Sequence, residues 1–257
     1  MLFILYGGGA NGKTTFLESL LKVFGTLAVV TSFSTLEIHR NTGGPRPDIV
    51  NLVGARFIKA AESQQDAELD EAVVKELTGS DTISCRPLYG APFSFAITGK
   101  FFLSTNHKPA IHGMDDAIWR RIRLIPFNRQ FLGKNRDMNL RQKLDAELSG
   151  ILAWAVRGCV EWQRHGLGNV PIVEKATLIY RQESDRFGRF LSERCTTAPE
   201  AKAKGKELFD DYVEWCRNNR EKAESNNAFA AALLERGIGK TRSGRGVVYT
   251  GVALRPR

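Results

Sequence analysis

The residues most able to do chemistry lie at the start of the chain. Gly7-Gly-Gly-Ala-Asn-Gly-Lys-Thr14 fits the pattern GxxxxGK[ST]. Glycines in such a loop let backbone amides converge on phosphate oxygens, and the N-terminus of the helix that follows adds positive potential. Lys13 is spaced to reach the β- and γ-phosphates of a nucleotide, and the Thr14 hydroxyl to ligate magnesium. Binding is not hydrolysis, which also needs a carboxylate at the end of a neighbouring strand to help hold magnesium or polarise water. Glu62 ends the apolar run Phe57–Ala61 and is the first acid after the loop in such a place. Asn106 ends a second apolar run, Phe101–Thr105, where an amide can orient an attacking water or simply make a turn. Trp119-Arg-Arg-Ile-Arg123 sets Arg120 and Arg121 at the end of a short helix. Their forked, permanently charged groups can stabilise a transferring phosphoryl group, within the chain or from a neighbouring subunit. The alternative is a basic surface cluster pairing with the acidic stretch around Glu68.

These groups need a scaffold. Leu2–Tyr6 reads as a buried strand ended by glycines. Phe16, Leu17, Leu20, Leu21 and Phe24 recur at helical spacing, with Gly25 as the stop. Leu27–Thr31 and Phe57–Ala61 read as strands, and His39–Pro47 as a loop. Leu69, Ala72, Val73 and Leu77 form a helical face that ends at Gly79. Thr82–Arg86 and Phe93–Ile97 flank a turn and suggest a hairpin, and Phe101–Thr105 and Ile122–Phe127 are strands around the short helix Asp115–Arg121. Strands alternating with helices predict a layered α/β domain. The pattern is helical from Leu140 to about Cys195, and Thr196–Lys204 reads as a linker. Beyond it come two helical stripes (Leu208, Phe209, Tyr212, Val213, Cys216; Phe229, Leu233, Leu234), with Asn226 as a cap, and then a strand at Val247–Leu254. Helix, helix, hairpin is the outline of a winged helix.

Composition bounds the partners. The chain has 257 residues and a formal charge of +9, and 42% of its residues are hydrophobic, which excludes global disorder. Four scattered cysteines without a CxxC pair predict neither a disulfide framework nor a zinc site. The apolar opening is too short to span a membrane. Charge is patterned: Glu62–Asp81 carries seven acids and one Lys, Lys100–Arg136 eight bases and two acids, and the stretch from Arg236 onward six bases and no acid. Such segments predict an anionic partner or a basic surface.

Five blocks in this order resemble a known family. They are Gly7–Thr15; Gly54-Ala-Arg-Phe with Glu62; Lys75–Asp81 followed by Arg86-Pro-Leu-Tyr89; Ser104-Thr-Asn-His-Lys-Pro109; and Ile118–Phe127. The chain resembles the superfamily III helicase module of phage and plasmid primase-helicases, which is related to the poxvirus primase-helicase. The resemblance implies an α/β, AAA+-like P-loop NTPase core (1–135), a helical extension (136–195) and a small winged-helix-like DNA-binding domain (205–257). It implies that Gly7, Gly8, Gly9, Ala10, Asn11, Gly12, Lys13, Thr14 and Thr15 form the Walker A loop for ATP and Mg2+. Glu62 would be the Walker B acid, Asn106 sensor 1, and Arg120 or Arg121 the finger acting on a neighbouring subunit's ATP. Lys75, Arg86 and Lys100 would face single-stranded or forked DNA in a central channel, with Lys240, Arg242 and Arg245 on a wing. Family members are hexameric rings that translocate on DNA during replication, in the cytoplasm of the host of a phage or mobile element. Two departures stand out. The chain starts directly at its first core strand, so a ring-forming segment and a primase are expected on a separate polypeptide, or the chain is a truncated, non-ring DNA-binding remnant with weak ATPase. At Walker B, Ser63 follows Glu62 where many ATPases carry a second acid. A P-loop small-molecule kinase is the remaining alternative.

Overall fold

The computed structural model describes residues 1–38, 44–60, 67–79, 81–243 and 246–256. The chain divides into two compact units, Met1–Arg181 and Gln182–Arg257.

The first unit opens with β1 (Leu2–Tyr6), the glycine-rich loop and α1 (Lys13–Phe24). β2 (Ala28–Thr31), α2 (Pro47–Val50), β3 (Phe57–Ala60) and α3 (Glu71–Thr78) follow. A separate hairpin of β4 (Thr82–Cys85) and β5 (Phe93–Ala96) precedes β6 (Lys100–Thr105), α4 (Asp116–Trp119) and β7 (Ile122–Pro126). Five of the strands form one sheet in the order β2-β3-β6-β1-β7, with every pairing parallel. The chain moves from β1 out to β2, works back through β3 and β6, and then places β7 on the far side of β1. β1 is therefore where the winding reverses, and a crevice at its carboxyl end is the expected ligand position in an open parallel sheet.

Side chains alternate across this sheet because successive Cβ atoms point to opposite faces. Leu2, Ile4, Ile58, Phe101 and Leu103 go to the larger core, with Val74, Leu77 and Trp119. Leu5 and Phe57 go to the other face with Leu17 and Leu20 of α1. On that face Phe3, Phe102, Phe57 and Phe24 stack in a row, with centroids 5.0, 4.6 and 5.4 Å apart. Each such pair adds about 0.5–1.5 kcal/mol beyond area burial, so the row ties β1, β6, β3 and α1 together.

Three helices complete the unit: α5 (Leu140–Ala146), α6 (Leu148–His165) and α7 (Pro171–Ser184), whose last residues belong to the second unit. Tyr180 of α7 is buried against Trp119, edge to face at 5.3 Å, and its hydroxyl donates to the Pro109 carbonyl. Arg181 donates to Met114 O and to Asp116 Oδ1, each at 2.7 Å. Among the described residues, no helix is long and apolar enough to cross a membrane.

The second unit contains α8 (Arg186–Arg194), β8 (Cys195–Lys204), α9 (Gly205–Asn218), α10 (Asn226–Glu235), β9 (Gly239–Ser243) and β10 (Gly246–Leu254). Its antiparallel sheet runs β8-β10-β9 over a core of Phe190, Tyr212, Trp215, Phe229 and Val252. Here the sequence expectations need correcting. Thr196–Lys204 is not a linker but most of β8. Its hydrogen-bonding partner β10 comes late in the chain, and its register slips between Thr250 and Val252, opposite the stretch holding Pro199. β8 is an edge strand, where a proline's missing N–H is tolerated. The 136–195 segment is not one extension, because Phe190 of α8 packs into the core of the second unit, which begins at Gln182 rather than at residue 205. Ser225, not Asn226, caps α10, its Oγ accepting from Ala228 N at 3.2 Å.

Candidate nucleotide site

At the carboxyl edge of the sheet, Tyr6 pairs with Thr105 of β6 on one side and with Pro126 of β7 on the other. The glycine-rich loop leaves β1 at this edge. Gly9 and Gly12 take φ of +91° and +86°, which glycine adopts without cost. Ala10 also has positive φ, +48°, at a cost of about 1–2 kcal/mol for an L-residue. Gly7 is required for a different reason, since a Cβ there would overlap the Asn11 amide nitrogen and the Phe127 carbonyl oxygen.

The stretch after β7 holds the loop from behind. Asn11 Nδ2 donates to Phe127 O at 3.0 Å. Gln130 Nε2 donates to Gly8 O and Gly9 O, each at 3.3 Å, and Phe131 N donates to Ala10 O at 2.8 Å. With those carbonyls engaged from outside, the loop's polar groups are fixed in direction. α1 then starts at Lys13 with no side-chain cap and no acid in its first turn. Its first N–H groups have no intrahelical partner, so this end suits an anion.

Lys13 is 4% exposed, and burial of an ammonium is tolerated only with acceptors around it. Its Nζ donates to Gly7 O at 2.6 Å, Asn106 Oδ1 at 2.9 Å and Asn11 Oδ1 at 3.1 Å. Asn106 follows β6, where Thr105 Oγ1 accepts from His107 N at 3.0 Å and donates to His107 O at 2.6 Å, turning the chain. Lys108 then sits over the rings of Tyr6 and Tyr180, at 5.1 and 5.6 Å. A cavity of about 210 Å³ is lined by Gly9–Thr15, Ser104 and Asn106. It holds donors and hydroxyls at the scale of a phosphate chain.

Of the residues singled out from the sequence, Lys13, Thr14, Thr15 and Asn106 line this one cavity. Glu62 and Arg245 lie outside the described residues, as do residues 39–43 of the expected His39–Pro47 loop. Arg120 and Arg121 precede β7, and Ile122 pairs with Leu2, so both arginines lie at the amino edge of the sheet, opposite the loop. Arg121 Nη1 donates to Ala117 O at 2.6 Å, and Arg120 is exposed. Lys75 is tied to Asp115 at 2.8 Å, a bond that holds the Asp115 carboxyl below the usual carboxylate range. Arg86 and Lys100 are exposed, with Arg86 entering the β4–β5 turn, where Tyr89 is 95% exposed. Lys240 and Arg242 stand on β9, with Lys240 Nζ 6.0 Å over Tyr249. The sequence reading missed Phe127, Gln130 and Tyr180, whose partners are fixed only by tertiary contacts.

A family model described as a family of unknown function, DUF5906, matches residues 5–121, which span the loop, Asn106 and the paired arginines. A protein of Acanthamoeba polyphaga mimivirus that carries a helicase name is 29% identical over 84% of this chain. One of Frog virus 3, also carrying a helicase name, is 28% identical over 83%. One of African swine fever virus that carries a primase name is 24% identical over 85%. The chain spans about a quarter of the length of these relatives, 25%, 24% and 25% respectively. The apo structure of the C-terminal region of NrS-1 superposes with a TM-score of 0.51 at 11% identity, over 98% of this chain and 66% of that one. That likeness concerns the fold, a mixed α/β architecture with a parallel central sheet.

Proposed function

We propose that this chain is the ATP-hydrolysing part of a DNA-replication helicase, acting on single-stranded or forked DNA. The observation that carries the reading is the meeting of Lys13 and Asn106 at the carboxyl end of a parallel sheet, at the point where its winding reverses. The helicase and primase names carried by the viral relatives support the reading.

The residues fit a nucleotide. Amides of the α1 first turn and the Lys13 ammonium would hold the triphosphate, and Gly7 keeps the loop close against its backing strand. Thr14 would offer its hydroxyl to magnesium, which screens the phosphate charge, and Glu62 would serve the metal, the attacking water or both. Asn106 accepts from Lys13 through Oδ1, which turns its NH2 end away from the ammonium and suits it to position a water near the γ-phosphate. Arg120 and Arg121, on the opposite edge, would act on the nucleotide of a neighbouring copy in a hexameric ring. Exposed bases on the hairpin and on β9 would follow the DNA backbone without reading sequence. A primase domain would lie elsewhere, on a separate polypeptide or in a longer form of the chain.

The test is ATP turnover across a titration of single-stranded DNA. Turnover that rises severalfold to a plateau supports the reading. Turnover that is flat in DNA, from folded protein, overturns the helicase assignment.

A further inference from the structure

Asn106 bonds to Lys13, yet it stands exposed in the turn that follows β6. A side chain there keeps one direction only if the backbone on both sides of it is held. On one side β6 is held by its ladders with β1 and β3. On the other, His107 N and O are both bound to the Thr105 hydroxyl. Those bonds are local, so they shape the turn without anchoring it to another element. Farther on, Ala110 is anchored, its N–H donating to Ala67 O at 2.8 Å and its carbonyl accepting from Leu69 N at 3.0 Å. The stretch between contains Pro109, which has no N–H to give.

Tyr180 of α7 braces that stretch. Pro109 is buried, and a buried carbonyl needs a donor. The Tyr180 hydroxyl supplies it from 71 residues away, on a side chain only 2% exposed. The same ring lies under Lys108, whose Nζ is 5.6 Å from its centroid and 5.1 Å from that of Tyr6. Tyr6 ends β1 directly before the glycine-rich loop, so Lys108 ties the Asn106 turn to the root of that loop. The ring is itself immobilised, edge to face with Trp119 at 5.3 Å. α7 is pinned on either side of it. Thr177 Oγ1 accepts from Leu124 N at 3.0 Å, and Arg181 donates to Met114 O and Asp116 Oδ1. A fixed helix therefore presents a fixed hydroxyl to the backbone three residues beyond Asn106.

We infer that Tyr180 is a positioning residue for ATP hydrolysis, setting the direction of the Asn106 amide through Pro109 O and Lys108. It acts through the turn and not by contact with the nucleotide. The inference rests on the ATP-hydrolysis reading of the loop and goes beyond it by giving α7 a part in the chemistry.

Steady-state ATP turnover of the full chain tests this. Tyr180→Phe keeps the ring against Trp119 and Lys108 and removes only the bond to Pro109 O. Its kcat should fall about three- to tenfold, with KM within about twofold of wild type. A double-mutant cycle then separates positioning from general support. In an Asn106→Ala chain, Tyr180→Phe should cost nothing more in kcat, because the group it positions is gone. The same fold loss with and without the Asn106 side chain would overturn the inference and leave Tyr180 a packing role. So would Tyr180→Phe at wild-type kcat, or a rise in KM alone. Wild-type protein that turns over no ATP would instead sink the nucleotide reading itself.

Discussion

Lys13 Nζ and Asn106 Oδ1 lie 2.9 Å apart although 93 residues separate them in the chain. An ammonium has only donors, so the Asn106 amide must turn its oxygen toward Lys13, and this fixes the direction of its NH2 group. Asn106→Ala should lower ATP turnover by about 100-fold, the usual cost of removing one preorganised polar group, with little change in nucleotide affinity. Lys13→Ala should abolish turnover. Steady-state ATPase assays with fluorescent-nucleotide titration read both, and an Asn106→Ala chain at wild-type turnover would remove Asn106 from the chemistry.

The backing of the loop makes a second prediction. Gly7→Ala forces a Cβ onto Asn11 and Phe127 O, so the loop must move, at about 1–3 kcal/mol in stability and with loss of nucleotide binding. Ala10→Gly is the contrasting control, because it relieves a positive φ of +48° and should raise stability by a few tenths to about 1 kcal/mol. Thermal melts and nucleotide titrations of the pair should move in opposite directions. Equal behaviour would refute the steric account.

Arg121 tests the assembly. β1 and β7 run in register from Leu2↔Ile122 to Tyr6↔Pro126, which puts about 13 Å of strand between the arginine edge and the loop edge. An arginine so placed cannot serve its own chain's phosphates without breaking the sheet. Arg121→Ala and Glu62→Gln chains should each be inactive alone, and mixing them should restore part of the turnover. No rescue at any ratio would assign Arg121 a structural role.

The second unit should be sensitive to alkali. Burial, with a smaller contribution from Asp211, raises the Cys195 thiol to about 11, and burial raises the Tyr212 phenol to about 12, from ordinary values of 9.0 and 10.0. Above about pH 9 the unfolded chain releases protons that the native unit keeps. The native state then binds more protons, and stability falls as pH rises toward 11 and 12. The stabilisation is intact below about pH 9, and the loss is on the order of a few kcal/mol. Melting should be unchanged between pH 7 and 8.5 and drop clearly by pH 10.5. At pH 8 a thiol-alkylating reagent should label exposed Cys159 well before Cys85, Cys195 and Cys216, which are buried.

What the sequence determined by itself is the local chemistry. Gly7–Thr14 is contiguous, so its glycine spacing, the apolar strand before it and the helical stripe after it are readable without any partner. The parallel core strands read as apolar runs because both faces of the sheet are covered. Only the tertiary structure decided which ends meet. Asn106 looks like any turn residue until β6 inserts between β3 and β1 and delivers it to Lys13. Gln130 and Tyr180 carry no local signal, since their partners are backbone carbonyls 122 and 71 residues away. β8 reads as a linker because only its two ends, Cys195 and Ala203, are buried, and its ladder comes from β10. Periodicity is a property of neighbouring residues, whereas strand order, register and hydrogen-bond partners are set by how distant segments pack, and the candidate site is assembled at that level.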